Sequence, residues 1–314
     1  MIISLEGFSR ASCSGIHKEI AESTNNKQKF CQHSDSFVTR AVLVWTLDKL
    51  DAGERVAIAS VINAKGSVPG KPGARLAIGS SGSIFGTVGG AGLEMKVEKK
   101  LNEMLEIPPK ELRKQGGYVE TFQLYKDAKG EKATPLDSLC GGRLTVAFEV
   151  IEPVPHILIA GGGHVGRSIA ISADLLGWAH SVFDVREEFS NTDRYPYATD
   201  NFSSRVNEFL DNESKESLLR FSDILLLGHD WSVDQELLLG LLKIRGDSIR
   251  PRIGAIGSKS KWNAFLRAAT GDGMNEKFLE NVRCPIGLNI GADSPEEIAI
   301  AVCAEILALE RGIE

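Results

Sequence analysis

The chain has 314 residues, of which 42% are hydrophobic and 25% charged, which is sufficient for two domains of ordinary size and excludes disorder of the whole chain. The net charge of −6, without a long run of Lys and Arg, argues against nucleic acid or anionic lipid as a partner.

Residues 1–36 are polar and show no sustained periodicity, so we expect a loose leader segment. The segment lacks the charged, then apolar, then small-residue order of a secretory signal. No apolar run in the chain approaches the ~20 residues that a transmembrane helix needs. We therefore expect a cytoplasmic protein that does not enter a membrane.

The next region, residues 37–153, is predicted to be a glycine-rich domain of mixed α and β structure. Leu43, Leu47 and Leu50 are spaced as on one face of a helix, which Gly53 ends. Residues 92–106 carry leucine or valine at every fourth position and predict an amphipathic helix. Apolar and β-branched runs punctuated by glycines predict strands. These strands are RVAIASVI (55–62), RLAIG (75–79), SIFGTVG (83–89), YVETFQLY (118–125) and RLTVAFEVIE (143–152).

The second domain, residues 154–314, is predicted to be a doubly wound α/β domain. Pro153 and Pro155 stiffen a short connection before it. Beyond that connection, strand-like segments alternate with helix-like segments, which predicts a parallel sheet with right-handed crossovers. The strands are HILIAG (156–161), HSVFDV (180–185), ILLLG (224–228) and RIGAIG (252–257).

The sequence GGGHVG, residues 161–166, follows the first of these strands and opens a helix. Its three motif glycines, Gly161, Gly163 and Gly166, fit the G-x-G-x-x-G pattern of a Rossmann fold, in which free N–H groups at a helix N-terminus face a phosphate. Asp184, at the end of the next strand, is placed to accept from ribose hydroxyls, and Arg186 could instead meet a phosphate. The pattern does not distinguish NAD from another phosphorylated cofactor.

Two histidines could contribute to the same pocket. His164 lies in the glycine turn, and His229 follows a strand at the sheet edge where ligands collect in such folds. The remaining four histidines have no partners at metal-ligand spacing, and the five cysteines include no CxxC pair. We therefore expect neither a disulfide framework nor a zinc site.

Six motifs in order resemble the XdhC/CoxI family, the accessory proteins that mature xanthine and carbon monoxide dehydrogenases. The motifs are AKGSVPGKPGAR (64–75), GTVGGAGLE (86–94), LCGGR (139–143), GGGHVG (161–166), FDVREEF (183–189) and CPIGLNIGADSPEEIA (284–299). The resemblance extends from about Val38 to Leu309 and does not include the leader.

The resemblance implies a chaperone that binds the molybdenum cofactor, as molybdopterin or its dinucleotide, and inserts it into an apo hydroxylase of the xanthine dehydrogenase type. It also implies sulfuration through a cysteine desulfurase, and a homodimer. Cys140 is the candidate thiolate for molybdenum or sulfur, since a thiolate is a soft donor. The candidate cofactor contacts in the first domain are Ser67, Lys71, Arg75, Gly89, Gly90, Gly92, Glu94, Gly141 and Gly142.

The chain departs from the family pattern at three positions. Gly70 stands where family members commonly have Arg, Gly92 where they have Cys, and Trp231 where a second His is common. A mechanism that needs two cysteines therefore cannot operate here as in those members.

Two other functions remain open on the sequence, a NAD(P)-dependent oxidoreductase and a non-catalytic dinucleotide sensor or scaffold. Tyr125 and Lys129 have the Tyr-x-x-x-Lys spacing of some oxidoreductases, but they lie in a polar turn, where that spacing does not align side chains.

Overall fold

A computed structural model describes residues 35–124, 134–135, 141–257, 259–271, 273–274 and 277–313. The first domain is built on a six-stranded sheet of order β3-β2-β1-β6-β4-β5. Its strands are β1 (Val56–Gly66), β2 (Arg75–Gly79), β3 (Ile84–Thr87), β4 (Tyr118–Gln123), β5 (Thr134–Pro135) and β6 (Gly142–Ile151). All neighbours pair antiparallel except β4 and β5, which pair parallel.

Helices cover both faces of this sheet because its central strand is apolar on both sides. Helices α1 (Asp35–Asp51), α2 (Ala91–Glu106) and α3 (Pro109–Gln115) belong to this domain. Alternate residues of β1 point to opposite faces. Ala57, Ala59 and Val61 share a core with α2, whereas Val56 and Ile58 pack with Val42 of α1.

The second domain is a five-stranded, entirely parallel sheet of order β11-β10-β7-β8-β9. Its strands are β7 (His156–Ala160), β8 (Ala179–Phe183), β9 (Asn201–Phe202), β10 (Asp223–Leu226) and β11 (Arg252–Ala255). Every residue of β7 and β10 is buried, as expected for a parallel sheet with helices on both faces. This is the Rossmann-like, doubly wound arrangement that the sequence predicts.

Two groups of helices cover the parallel sheet. The helices are α4 (His164–Leu176), α5 (Val206–Asp211), α6 (Lys215–Leu218), α7 (Trp231–Arg245), α8 (Lys259–Gly271), α9 (Lys277–Glu280) and α10 (Pro295–Glu310). Helices α4 and α10 enclose one core with Ile157 and Ile159 of β7. Helices α5 to α9 enclose the other core, which includes Leu158 and Ala160 of the same strand.

The short elements of the second domain were not predicted from the sequence. Strand β9 and helices α5, α6 and α9 have two to six residues each, too few to establish a period. In the first domain, Pro109 occupies the first turn of α3, so the proline pair at 108–109 lies between α2 and α3.

Candidate functional site

A cleft opens at the carboxyl edge of the parallel sheet, where the strand order reverses between β7 and β10. Ligands bind at this position in doubly wound sheets. The cleft is lined by Ala160, Gly161, Phe183, Asp184, Val185, Arg186, Gly228, His229, Asp230, Val233, Asp234 and Leu237. The enclosed part of the cleft has a free volume of about 20 Å³, which is room for about one water molecule. A bound nucleoside would therefore lie mostly outside this enclosed part.

The glycine-rich turn from β7 to α4 requires glycine for steric reasons at two of its motif positions. Gly161 has a φ of 118°, and a Cβ there would lie 2.6 Å from the carbonyl carbon of Leu227. A Cβ on Gly166 would lie 2.3 Å from the carbonyl oxygen of Gly161, so this glycine lets the helix approach the strand closely. Around Gly163, by contrast, a Cβ would meet no atom within 4 Å. The backbone at Gly163 is thus open to a ligand.

The N-terminus of α4 has no side-chain cap. Gly163 occupies the N-cap position and supplies no hydrogen bond to the first turn. The carboxylate of Asp230 caps α7 by accepting from the N–H of Ser232 at 2.9 Å, and Ser294 caps α10. The first N–H groups of a helix lack intrahelical partners and carry the positive end of its dipole. At the starts of α7 and α10, N–H groups donate to the protein's own side chains. At the start of α4 the corresponding N–H groups remain available to donate to an anion.

The carboxylate of Asp184 is fully engaged by the protein itself. Arg186 donates to its two oxygens from Nε and Nη2, both at 2.9 Å, and the N–H of Gly162 donates at 3.0 Å. Asp184 is 5% exposed. Burial would raise the pKa of Asp184, but the hydrogen bonds from Arg186 and Gly162 lower it overall. Asp184 is therefore an ionised, paired carboxylate at the position where the sequence predicts a ribose contact.

A short segment after β8 encloses Gly162. The carbonyl of Gly162 accepts from the Tyr195 hydroxyl at 2.8 Å and from Nε of Arg194 at 3.0 Å. A Cβ on Gly162 would lie 1.8 Å from the carbonyl oxygen of Phe189. The guanidinium of Arg186 stacks on the Phe189 ring, 3.9 Å from its centre. Sequence reasoning missed Arg194 and Tyr195, because their partner is a backbone group distant in the chain. It also assigned no role to Phe189.

On the other side of the cleft, Asp234 forms a buried ion pair that was also missed. Its carboxylate accepts from the N–H of Gly228 at 3.1 Å and from Nζ of Lys261 at 2.7 Å. Burial raises the pKa of Asp234, and the pair with Lys261 opposes that rise. This arrangement fixes the turn after β10 that carries His229. The sequence signal that could have indicated this pair is Asp234, an acidic residue six positions after Gly228.

The two predicted histidines occupy different places. His229 lines the cleft and is exposed. His164 is exposed on the first turn of α4 and does not contribute to the cleft lining. Cys284 is half-buried, and burial raises the pKa of its thiol while Lys261 opposes the rise. Cys303 of α10 is buried in the core, and burial raises the pKa of its thiol to about 11.

The glycine-rich segments of the first domain come together at the start of β6, in a group here called the N-domain glycine cluster (residues 66–70, 86–90 and 141–142). The N–H of Ser67 donates to the carbonyl of Gly141 at 3.1 Å. A Cβ on Gly70 would lie 2.1 Å from the carbonyl oxygen of Val88, and one on Gly142 2.7 Å from that of Lys65. The backbone around position 70 therefore packs too closely for a side chain, and glycine stands there in place of the arginine that is common in the family.

Glu94 supports this cluster from the first turn of α2. Its carboxylate accepts from the Thr87 hydroxyl and from the N–H of Gly89 at 3.1 Å. Gly90 is the N-cap of α2, without a side-chain cap. Glu94 therefore fixes the turn before α2.

The remaining candidates of the first domain lie around the cluster. Lys71 is exposed, and Gly92 is exposed on α2, where a Cβ would meet no atom within 4 Å. Arg75 begins β2 and donates to the carbonyl of Gly73 at 3.4 Å. Cys140 lies outside the described residues, as do Tyr125 and Lys129.

The cleft and the N-domain glycine cluster are separate in the part of the chain that the structure describes. Strand β6 begins at the cluster and runs ten residues, or about 33 Å, to the interdomain connection. The cleft lies at the far end of β7, and all of its lining residues belong to the second domain. Within the described residues, no three His, Cys, Asp or Glu side chains form a group that could hold a metal ion.

These features define the class of the protein, a two-domain α/β protein whose Rossmann domain follows a glycine-rich antiparallel domain. A family model described as the XdhC Rossmann domain matches residues 157–306, and the XdhC and CoxI family model matches residues 49–112. The chain belongs to the XdhC and CoxI family. The resemblance given by the motifs is thus confirmed.

Two curated relatives are similar over much of the chain. The uncharacterized protein YqeB of Escherichia coli (strain K12) is 32% identical over 262 residues, which are 82% of this chain and 44% of that protein. A probable xanthine dehydrogenase subunit of Bacillus subtilis (strain 168) is 26% identical over 163 residues, which are 52% of this chain and 45% of that protein. The aligned regions thus span less than half the length of either relative.

A crystal structure of a xanthine dehydrogenase from Bacillus halodurans is similar at 19% identity. The alignment covers 90% of this chain and 97% of that one, with a TM-score of 0.44. Among the described residues, no helix is both long enough and apolar enough to cross a membrane.

Proposed function

We propose that this protein binds a phosphorylated molybdenum cofactor and assists the maturation of a molybdenum hydroxylase of the xanthine dehydrogenase type. Family membership and the name of the Bacillus subtilis relative support an accessory role in such a system. The observation that carries cofactor binding is the uncapped start of α4 beside the open backbone of Gly163.

The residues of the second domain fit the phosphate end of such a cofactor. The first N–H groups of α4 would donate to phosphate oxygens, and Gly163 leaves space for them to approach. Since the cleft holds about one water, the organic part of the ligand would lie outside it, over α4 and the exposed His229. The cofactor supplies the metal centre that the hydroxylase needs for its reaction.

The N-domain glycine cluster is the proposed second contact. Its loops present backbone next to the uncapped start of α2, and Lys71 is exposed beside them. Cys140, which directly precedes Gly141, is the proposed thiolate contact on grounds of the family resemblance. An apo hydroxylase, a cysteine desulfurase, a second copy of the chain and a cytoplasmic location are proposed on the same grounds.

Substitution at Gly163 tests the site without disturbing the fold. Gly163→Asp places a carboxylate at the N-cap, where it takes the helix donors and repels phosphate, so we expect cofactor retention at least about tenfold weaker than in the wild type. The measurement is anaerobic ultrafiltration of the purified protein with molybdenum cofactor, followed by molybdenum analysis.

Gly163→Ala is the matched control. Its Cβ enters open space, and alanine leaves the N–H donors of α4 without a competing side chain. Retention by the Ala variant and the wild type, with loss in the Asp variant, would support the proposal. Equal retention by all three proteins would place the cofactor elsewhere, and no retention by the wild type would contradict cofactor binding.

A further inference from the structure

The candidate site has a phosphate end at the start of α4 and a ribose end at Asp184, and the protein's own side chains occupy only the ribose end. In a dinucleotide-binding Rossmann domain, the helix start receives the pyrophosphate, and the acidic residue after the second strand receives the ribose hydroxyls. Here the helix start at Gly163 is open, whereas Asp184 is held by Arg186 and by the N–H of Gly162.

Arg186 occupies the place of a ribose diol. A ribose binds such a carboxylate through two hydroxyl donors. Arg186 supplies two parallel N–H donors from its side chain and a third from its backbone N–H at 3.1 Å. Bidentate, charge-assisted bonds of this kind are among the strongest side-chain hydrogen bonds. A neutral diol would therefore have to displace a better donor.

One further contact holds Arg186 in this position, and the segment that supplies it packs on the glycine turn. Its guanidinium stacks on Phe189, and the carbonyl of Phe189 lies directly over Gly162. Arg194 and Tyr195 donate to the carbonyl of Gly162 from the same segment. Residues 184–195 thus form a cover over Gly162 in the glycine turn.

The cover also affects a ligand with a 2′-phosphate. Arg186 would have to leave Asp184 to meet that phosphate, and Asp184 would then be a buried carboxylate without its cationic partner. While the pair is intact, the donors of Arg186 already occupy both oxygens of Asp184, and the enclosed part of the cleft beside them holds only about 20 Å³.

We infer that Arg186 is a specificity-determining residue that closes the ribose position at the end of β8, so that the site accepts a terminal phosphate and excludes an adenine dinucleotide. Combined with the proposed function, on which this last step rests, the inference favours the form of the cofactor that ends in a single phosphate over its dinucleotide form.

A substitution that opens the ribose position provides the test. Arg186→Met removes the donors but keeps an apolar stem against Phe189. The wild type should show no NAD or NADP binding with a Kd below about 1 mM by calorimetry, and Arg186→Met should bind NAD at least about tenfold more tightly. Arg194→Met is the matched control, because Arg194 also lies over Phe189, 5.1 Å from its centre, but makes no pair with Asp184. It should bind NAD no better than the wild type.

The opposite results would overturn the inference. They are micromolar binding of NAD or NADP by the wild type, or a correctly folded Arg186→Met that gains no affinity for NAD. If Arg186→Met does not fold, Arg186→Lys keeps the charge with fewer donors, and NAD binding should then be stronger than in the wild type. The nucleotide assays contain no molybdenum cofactor, so failure of cofactor retention would leave their outcome unaffected.

Discussion

At His156, the fold buries an imidazole in its neutral form. The side chain shares a 2.9 Å hydrogen bond with the Ser181 hydroxyl, and its ring meets Phe221 edge-on at 4.8 Å. The residue is 8% exposed. Burial lowers the pKa of His156 to about 4, with the positive charge of Arg220 and the neighbouring His180 adding to the effect. The unfolded chain binds this proton at a higher pH than the folded chain does.

We therefore expect the protein to lose stability as the pH falls from about 6.5 to about 4. Above this window both states are neutral at His156, and within it only the unfolded state gains the proton. The contribution of His156 to the free energy of unfolding should fall by about 3 kcal/mol across the window. Urea unfolding of the wild type and of His156→Gln at pH 7 and pH 4.5 measures it.

His164→Gln, at an exposed position, controls for the loss of a histidine as such. The Gln variant at position 156 should have the flatter pH profile of the two. Parallel profiles for the wild type and His156→Gln would show that the buried imidazole does not account for acid lability.

Single residues show where sequence reasoning reached its limit. The sequence predicts Asp184 and Arg186 as ligand contacts, because their distance from the glycine turn is that of a dinucleotide site. That spacing contains no information on whether the two side chains bind a ligand or each other. The pair forms because both follow β8 and Arg186 turns back toward Asp184. Their ligand contacts remain a prediction.

At the scale of elements, the turn between β7 and α4 combines a position that only glycine can occupy with one that tolerates a side chain. Gly161→Ala would introduce a Cβ at a φ of 118° and within 2.7 Å of the N–H nitrogen of Gly228. Backbone strain and overpacking should together destabilise the protein by at least about 2 kcal/mol.

Gly163→Ala should change stability by less than about 1 kcal/mol, because its Cβ meets open space. Chemical denaturation of both variants beside the wild type measures the difference. Equal stability of the two alanine variants would show that the close approach of Gly161 to the loop after β10 does not require a glycine.

Long elements were predictable, but the face that they bury was not always so. Every predicted strand run overlaps an observed strand, because runs rich in apolar and β-branched residues are typical of strands, whereas the two-residue strands β5 and β9 were not predicted. In α1 the leucine periodicity predicts a helix, yet Leu43 and Leu47 are 46% and 59% exposed. Among the α1 residues whose burial the structure describes, Val42 and Thr46 are buried, and Val42 packs on Ile58 of β1 and Ala77 of β2. Periodicity identifies a helix but does not say which face meets the sheet.

At the scale of the whole molecule, the two glycine-rich sites lie at strand ends away from the interdomain connection. Near that connection, the domains enclose a cleft of about 1070 Å³, and Lys110 of α3 donates to the carbonyl of Gly312 at 3.3 Å. The sequence predicts both glycine-rich sites from their motifs. The sequence does not predict how the two sites are placed relative to each other. Their placement depends on contacts between residues far apart in the chain, and few residues make those contacts. The domain limits at 36 and 153 stay a prediction.

The measurement that tests the accessory role most directly is cofactor transfer to an apo molybdenum hydroxylase of the xanthine dehydrogenase type. The wild type, loaded anaerobically with molybdenum cofactor, should restore hydroxylase activity more completely than the same amount of free cofactor. Gly163→Asp should restore no more than free cofactor does, because it cannot hold the phosphate at α4. Equal activity with free cofactor, with the wild type and with Gly163→Asp would contradict the account.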